Sequence, residues 1–349
     1  MKVLVTGNLG YIGTVMVPML LAAGHEVHGM DVDLYERCTF GPESGITQVP
    51  TTIKDIRDAE VADFVGFDAV IHLAGLSNDP LGDFRPELTF DINYRASVRL
   101  AALAREAGVR RFLFTSSCSN YGAGGSDMLD EDGALNPVTP YGKSKVMAEG
   151  EVRALADERF CPVILRPATA YGLSPRLRFD LVINNLVAWA HSTGKIHIKS
   201  DGSPWRPVVH IQDISRAFLA ALEAPRGVVF NQAFNVGRTG ENYQVRDLAN
   251  IVGQVIPKAQ VEFAQGASPD TRNYRVSFEK IARVLPEFQP RWTAKLGAEQ
   301  LRDAYLDHGV TLEEFEGPRY QRIAHIKQLI REGVLNEDLR KVGAPVGAK

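Results

Sequence analysis

Several features that would settle the class of this chain at once are scarce or missing. Cysteine occurs three times in 349 residues, at Cys38, Cys118 and Cys161. An odd number without metal-like spacing supports neither a disulfide framework nor a zinc site. No apolar run approaches the roughly 18 residues of a membrane span, so no membrane role is expected. Positive charge is not in excess: the formal net charge is −3, and nothing favours nucleic acid or an anionic membrane as a partner. Internal repeats and low-complexity tracts are missing too. The N-terminus opens on a strand-like run, Lys2 to Thr6, without the apolar core and cleavage site of a leader. A cytoplasmic location is therefore the default expectation. What remains is ordinary globular composition, 45% hydrophobic and 23% charged, in enough chain for one large domain or two.

The first thirty residues carry a pattern. After the strand come Gly7-Asn8-Leu9-Gly10-Tyr11-Ile12-Gly13, a helix to about Ala23, then Gly24 and a second strand, Glu26 to Met30. In such a βαβ unit Gly7 permits the tight turn, Gly10 lets the backbone approach a pyrophosphate, and Gly13 lets helix and strand pack closely. The helix N-terminus then faces the phosphates. Pro18 lies inside the helix and should kink it. Asp31, directly after the second strand, is placed for the adenosine ribose hydroxyls, with Asp33 the weaker candidate. A carboxylate there repels a 2′-phosphate, so NAD is favoured over its phosphorylated form. Further strands are expected over residues 46–52, 68–73 and 161–166.

A second pattern spans residues 111–145. Phe112 to Thr115 reads as a buried strand that delivers Ser116 and Ser117 to its carboxyl end, where open α/β sheets hold their ligands. Downstream, Tyr141 and Lys145 are four apart and share one helix face. A cation beside a phenol favours the ionised phenol. Together with a serine hydroxyl, such a pair is suited to moving a proton on and off a sugar hydroxyl while hydride leaves the carbon beneath it.

The Tyr-x-x-x-Lys pair, the Ser-Ser…Tyr-Gly strand end and the N-terminal glycines resemble the extended short-chain dehydrogenase/reductases that act on nucleotide sugars. That family includes UDP-galactose 4-epimerase, the 4,6-dehydratases and the UDP-glucuronate decarboxylases. The resemblance covers roughly residues 1–295. It implies an α/β fold: a doubly wound parallel Rossmann sheet of about seven strands over residues 1–170, completed by a strand near 233–237. Residues 171–349 would form a smaller C-terminal substrate lobe with a helical extension from about 296. The extension reads as a packing appendage, with a lid over the sugar or a dimer contact as alternatives.

The resemblance also implies site residues. For NAD they are Gly7, Asn8, Gly10, Tyr11, Ile12, Gly13, Asp31, the adenine-edge pair Asp55 and Ile56, the strand end Leu73-Ala74-Gly75, Asn93, Thr115, Tyr141, Lys145 and Pro167. For a nucleotide-diphosphate sugar they are Ser77, Ser117, Cys118, Ser119, Thr169, Asn185, Arg206 and Arg272, with Asn78 and Asp79 near the sugar or simply turn-forming. Arg206 is expected to clamp the diphosphate bidentately, and His210 to fix local structure. The helix ending near Ala107 and the one starting near Tyr141 match the pair that builds a dimeric four-helix bundle in relatives; the alternative is that both pack only on the sheet.

Ser117, Tyr141 and Lys145 are the expected catalytic residues. By resemblance, Tyr141 as phenolate takes the C4 hydroxyl proton while the C4 hydride passes to NAD. Later steps need more residues. The 4,6-dehydratases carry Asp-Glu after the residue matching Ser117, and the decarboxylases a Glu at the second position; here Cys118 and Ser119 stand there. The 3,5-epimerising relatives use a Cys at the second position, but Cys118 is one residue early and reads as a small buried hydrophobe. Subtraction leaves chemistry at C4. A nucleotide-sugar 4-epimerase is expected, with a net C4 oxidation or 4-keto reduction as the alternative. A non-catalytic NAD-sensing regulator on the same fold would lose the Tyr or the Lys, and both are present. The base and the sugar stay open.

Overall fold

Alternation along each central strand assigns its residues to two opposite cores. Val3 and Val5 belong to one, Leu4 to the other; Leu113 faces one, Phe112 and Phe114 the other. Such strands need cover on both faces, which only a helix-flanked parallel sheet provides. The structure, a computed structural model, describes residues 1–42, 45–77, 85–124, 127–264 and 272–342. Its central sheet has seven parallel strands: β1 (Lys2–Thr6), β2 (Glu26–Asp31), β3 (Thr51–Ile53), β4 (Ala69–His72), β5 (Arg111–Thr115), β6 (Cys161–Pro167) and β7 (Ala233–Val236). The order is β7-β6-β5-β4-β1-β2-β3. Val5 pairs with Gly29 on one side and Ile71 on the other. The order reverses direction at β1, so a crevice opens between the carboxyl ends of β1 and β4, where doubly wound folds bind ligands. This is the expected Rossmann architecture, late strand included.

The helices referred to below are α1 (Gly13–Ala22), α2 (Ser97–Glu106), α3 (Pro140–Ala154), α4 (Val182–Thr193), α5 (Ala294–His308) and α6 (Arg322–Arg331). Pro18 lies inside α1, which continues to Ala22. A second region carries a third core, built on Phe179, Leu186, Leu301 and Phe315 from α4, α5 and their surroundings. Its small sheet joins Thr169–Tyr171, Trp205–His210 and Asn242–Gln244. Among the described residues no helix is long and apolar enough to cross a membrane.

Three expectations change. The third strand joins the ladder only over Thr51–Ile53. Pro50 has no N–H to donate, and its carbonyl accepts from Gly29 at 2.8 Å as the pairing begins. The helix expected from Phe90 begins at Pro86 and passes through a π-helical segment, Asp91–Ala96, before α2. Finally, α6 touches the substrate region through Arg322 but buries its apolar side against the central sheet. Ile326, Leu329, Leu335 and Leu339 join Leu4, Phe64 and Leu100 in the core on one face of the central sheet. Helical spacing of apolar residues in α6 does not say which surface they meet.

Glycine is required where the glycine loop folds back on itself. Gly7 has φ +79° and a Cβ there would lie 2.7 Å from the Ala74 nitrogen; a Cβ on Gly13 would overlap the Gly7 carbonyl oxygen. Gly150, exposed in α3, has nothing within 4 Å of the position a Cβ would take. Gly13→Ala should therefore cost about 1–3 kcal/mol, as overpacking does. Gly150→Ala should stabilise by up to about 1 kcal/mol through helix propensity. Urea midpoints of the two variants test this; equal shifts would contradict the close packing at Gly13.

Candidate active site

One cavity of about 810 Å³ runs over the carboxyl ends of the central strands and across to the second region. It gathers residues from opposite ends of the chain. From the glycine loop come Gly7, Gly10, Tyr11, Ile12 and Gly13; from β2 comes Asp31; from the turn after β3 come Asp55 and Ile56. Leu73, Ala74, Gly75 and Ser77 follow β4, Thr115, Ser117 and Ser119 follow β5, and Pro167 and Thr169 follow β6. Tyr141 and Lys145 project from α3, and Asn185, Arg206 and Arg272 from the substrate side.

Three expected contacts do not line it. Asn8 is buried and its amide donates to the Thr51 hydroxyl at 3.0 Å, bracing the loop against β3. Asn93, in the π-helical segment, donates to the Leu76 carbonyl at 2.8 Å and accepts from its N–H at 2.7 Å. It thus shapes the wall from behind. Cys118 is fully buried and its thiol donates to the Arg166 carbonyl at 3.1 Å. Burial raises the thiol's pKa far above its usual range, and the residue does not line the cavity. Asn78 and Asp79 lie outside the described residues.

The two acids after β2 have separate partners. Asp31 accepts the N–H groups of Leu9 at 3.0 Å and Asp33 at 2.8 Å, which fixes its carboxylate on the cavity wall. Burial raises its pKa. Asp33 turns away and pairs with Arg176 at 3.0 Å. The Asp55 carboxylate is held by Arg57, whose Nε donates to it at 3.0 Å.

At the reacting end, Lys145 is 4% exposed. Its ammonium donates to the Thr115 carbonyl at 2.8 Å and lies 4.9 Å from the Phe114 ring centroid. Burial pushes its pKa down to about 8. Beneath it His72 bridges the hydroxyls of Thr6 and Ser97 at 2.6 and 2.8 Å, and burial followed by the Lys145 charge pushes it down to about 3, so it is a neutral structural imidazole. Ser117 accepts from the Ser119 hydroxyl at 2.8 Å and N–H at 3.1 Å, which leaves its own proton available to donate. Ser116 points the other way and donates to Glu149 at 2.9 Å.

Three cavity-lining residues have a buried polar atom without a partner among the described residues: the Thr115 hydroxyl, the Asn185 amide nitrogen and Arg322 Nη1. Such atoms are costly unless a ligand satisfies them. With the glycine loop and the Asp31 carboxylate, they fit a dinucleotide on the sheet side and a second polar ligand opposite. Arg206 is 7% exposed, donates to the Trp205 carbonyl at 2.7 Å and to that of Arg272, and faces the Tyr274 ring. His210 stacks on Trp292 at 3.9 Å and caps the following helix, a structural role.

Sequence reading missed Arg178 and Asp180, which line the cavity. Arg178 donates to Asp180 at 2.7 Å and to the Ser77 hydroxyl at 3.0 Å. The available signal is the charged run Arg176-Leu177-Arg178-Phe179-Asp180 shortly after Tyr171. Arg322, from the C-terminal extension, also lines the cavity, and nothing local in the sequence marked it.

Comparison with known proteins follows the same lines. The profile of the NAD dependent epimerase/dehydratase family matches residues 3–237. The UDP-glucose 4-epimerase of Mycolicibacterium smegmatis is 31% identical over 299 residues, covering 82% of this chain and 92% of that protein. UDP-glucose 4-epimerase 4 of Oryza sativa is 28% identical over 327 residues, covering 86% and 87%. Among solved structures, the dTDP-glucose 4,6-dehydratase DesIV of Streptomyces venezuelae, with NAD bound, superposes with TM-score 0.76 at 25% identity, covering 88% of this chain and 97% of that one.

The Lys145 environment has a measurable consequence in the unliganded protein. Its folded pKa lies below its unfolded value of 10.5. Between about pH 8 and 10.5 the unfolded state therefore binds more protons, and this group makes stability rise with pH. A shift of this size corresponds to about 3 kcal/mol. The unfolding free energy of wild type minus that of Lys145→Met should climb across that window, and a flat difference would contradict the buried ammonium without a counter-ion.

Proposed function

The chain belongs to the NAD dependent epimerase/dehydratase family, and from that membership and the site's geometry we propose a nucleotide-sugar 4-epimerase acting through a transient 4-keto sugar. The carrying observation is the state of Cys118, buried behind the strand end and bonded to a carbonyl. Elimination or decarboxylation needs an acid or base beside Ser117. Among the described residues, the carboxylates on the cavity wall are Asp31, Asp55 and Asp180. The first two lie at the cofactor end and Asp180 is bound by Arg178. That argues for proton and hydride exchange at C4 alone, although dehydratases share the fold.

NAD would be held by the Gly7–Gly13 loop, Asp31, Asp55, Ile56, Leu73 to Gly75, Thr115, Tyr141, Lys145 and Pro167. When bound, it would supply an acceptor and donor for the C4 hydride. Tyr141 takes the proton of the C4 hydroxyl and gives it back when the ketone is reduced on its other face, so substrate and product are isomers. Lys145 supplies a fixed positive charge one helical turn away, which favours the phenolate. Ser117 donates to the same sugar oxygen. Asn185, Arg206 and Arg272 would take the nucleotide diphosphate, with Ser77, Ser119 and Thr169 nearer the sugar. We also read α2 and α3 as the face of a homodimeric four-helix bundle, supported by Met147, 43% exposed on α3.

Incubating the protein with a panel of UDP-, GDP-, dTDP- and CDP-sugars tests the reaction. The expected product is isobaric, with no lasting NADH absorbance. A product two mass units lighter establishes oxidation instead, and loss of water overturns the argument from Cys118. Tyr141→Phe should lower turnover at least ~10²-fold while the cofactor stays bound. For the assembly, Met147→Glu should shift the light-scattering mass from dimer to monomer.

A further inference from the structure

We propose that Arg322, at the start of the C-terminal helix α6, binds the diphosphate of the dinucleotide, which makes the C-terminal extension part of the cofactor site. The inference rests on the dinucleotide reading of the cavity. Arg322 is 4% exposed and yet lines that cavity. Its Nη2 donates to the Arg176 carbonyl at 3.0 Å, while its Nη1, near the Cys38 thiol, has no hydrogen-bond partner among the described residues. Its guanidinium lies 3.8 Å from the Tyr35 ring centroid, which fixes the plane of the fork. Neighbouring arginines differ: Arg176 has Asp33 and Arg178 has Asp180. No carboxylate pairs with Arg322 among the described residues.

A buried guanidinium without a counter-ion is costly, and the cost falls if an anion enters the cavity beside it. Location decides which anion. Tyr35 and Leu34 follow Asp31 at the end of β2, on the dinucleotide side, away from Arg206 and Arg272. The negative charge of NAD is confined to its diphosphate. Nor can Arg322 swing out freely. His325 bonds the Leu34 carbonyl at 3.1 Å, Arg57 donates to the Asp338 carbonyl at 2.9 Å, Arg340 pairs with Asp58, and Leu329 and Leu339 are in the core. The extension is thus strapped across the adenosine edge of the sheet and carries its own arginine into the site.

Calorimetric titration of the nucleotide-stripped full chain tests this with four probes: NAD, ADP, adenosine and UDP. Arg322→Gln should weaken NAD and ADP roughly 10- to 100-fold and leave adenosine unchanged, because one charge-assisted contact to phosphate is lost. Arg322→Lys, which keeps the charge but not the fork, should weaken ADP less, and it carries the test if the Gln variant does not fold. Unchanged ADP affinity overturns the assignment, as does an equal loss for adenosine. A loss confined to UDP overturns it too, moving the contact to the sugar nucleotide. If the wild type binds UDP but neither NAD nor ADP, the dinucleotide reading itself fails.

Discussion

One buried ion pair holds Tyr141 and Lys145 where they are. Arg166 of β6 and Glu149 of α3 have side chains 3% and 4% exposed, and the arginine Nε donates to the carboxylate at 3.1 Å. The same carboxylate accepts from Ser116 at 2.9 Å, and the same guanidinium donates to the Tyr121 hydroxyl at 3.0 Å and the Glu131 carbonyl at 3.2 Å. Tyr121 in turn donates to Asn235 at 2.8 Å. The pair therefore ties α3 to the ends of β5, β6 and β7. Glu149 lies four residues beyond Lys145 and eight beyond Tyr141, on one helix face. Any roll of α3 that disengaged Tyr141 would also leave an unpaired carboxylate and guanidinium in low dielectric, at about 3–5 kcal/mol. The helix is fixed in rotation from below, and the upper two residues of that face are presented to the cavity.

That geometry explains what could be read in advance. The glycine loop, Asp31, Ser117, Tyr141 and Lys145 were legible because each belongs to a local spacing with one physical meaning. Burial of Cys118 was legible for a similar reason: a lone thiol at a strand end of apolar residues has little else to do. Glu149 continued the same four-residue spacing and could have been noticed, but an acid on a helix has too many ordinary explanations. Arg322 and the course of the extension were not legible. The bond from His325 to the Leu34 carbonyl spans 291 residues, and a periodic stripe states only that a helix has an apolar side. Asn93 was placed correctly near the site but could not be seen to act from behind the wall, because that depends on the π-helical segment.

Cations in this fold are held in two ways. Arg166 and Arg176, which do not line the cavity, have carboxylate partners, as do Arg57 and Arg178, which do. Lys145 and Arg322, which also line it, are held by the backbone carbonyls of Thr115 and Arg176. A carbonyl orients a cation without neutralising it, so its charge stays available to a ligand. In a chain of formal net charge −3, this places two buried positive charges on one cavity, where screening by salt is weaker than at the surface. The cost appears as the depressed pKa values of both groups, caused first by burial. The two cations also divide the cavity. One stands a helical turn from Tyr141 on α3, and the other begins α6, whose Ile326 and Leu329 are in the core.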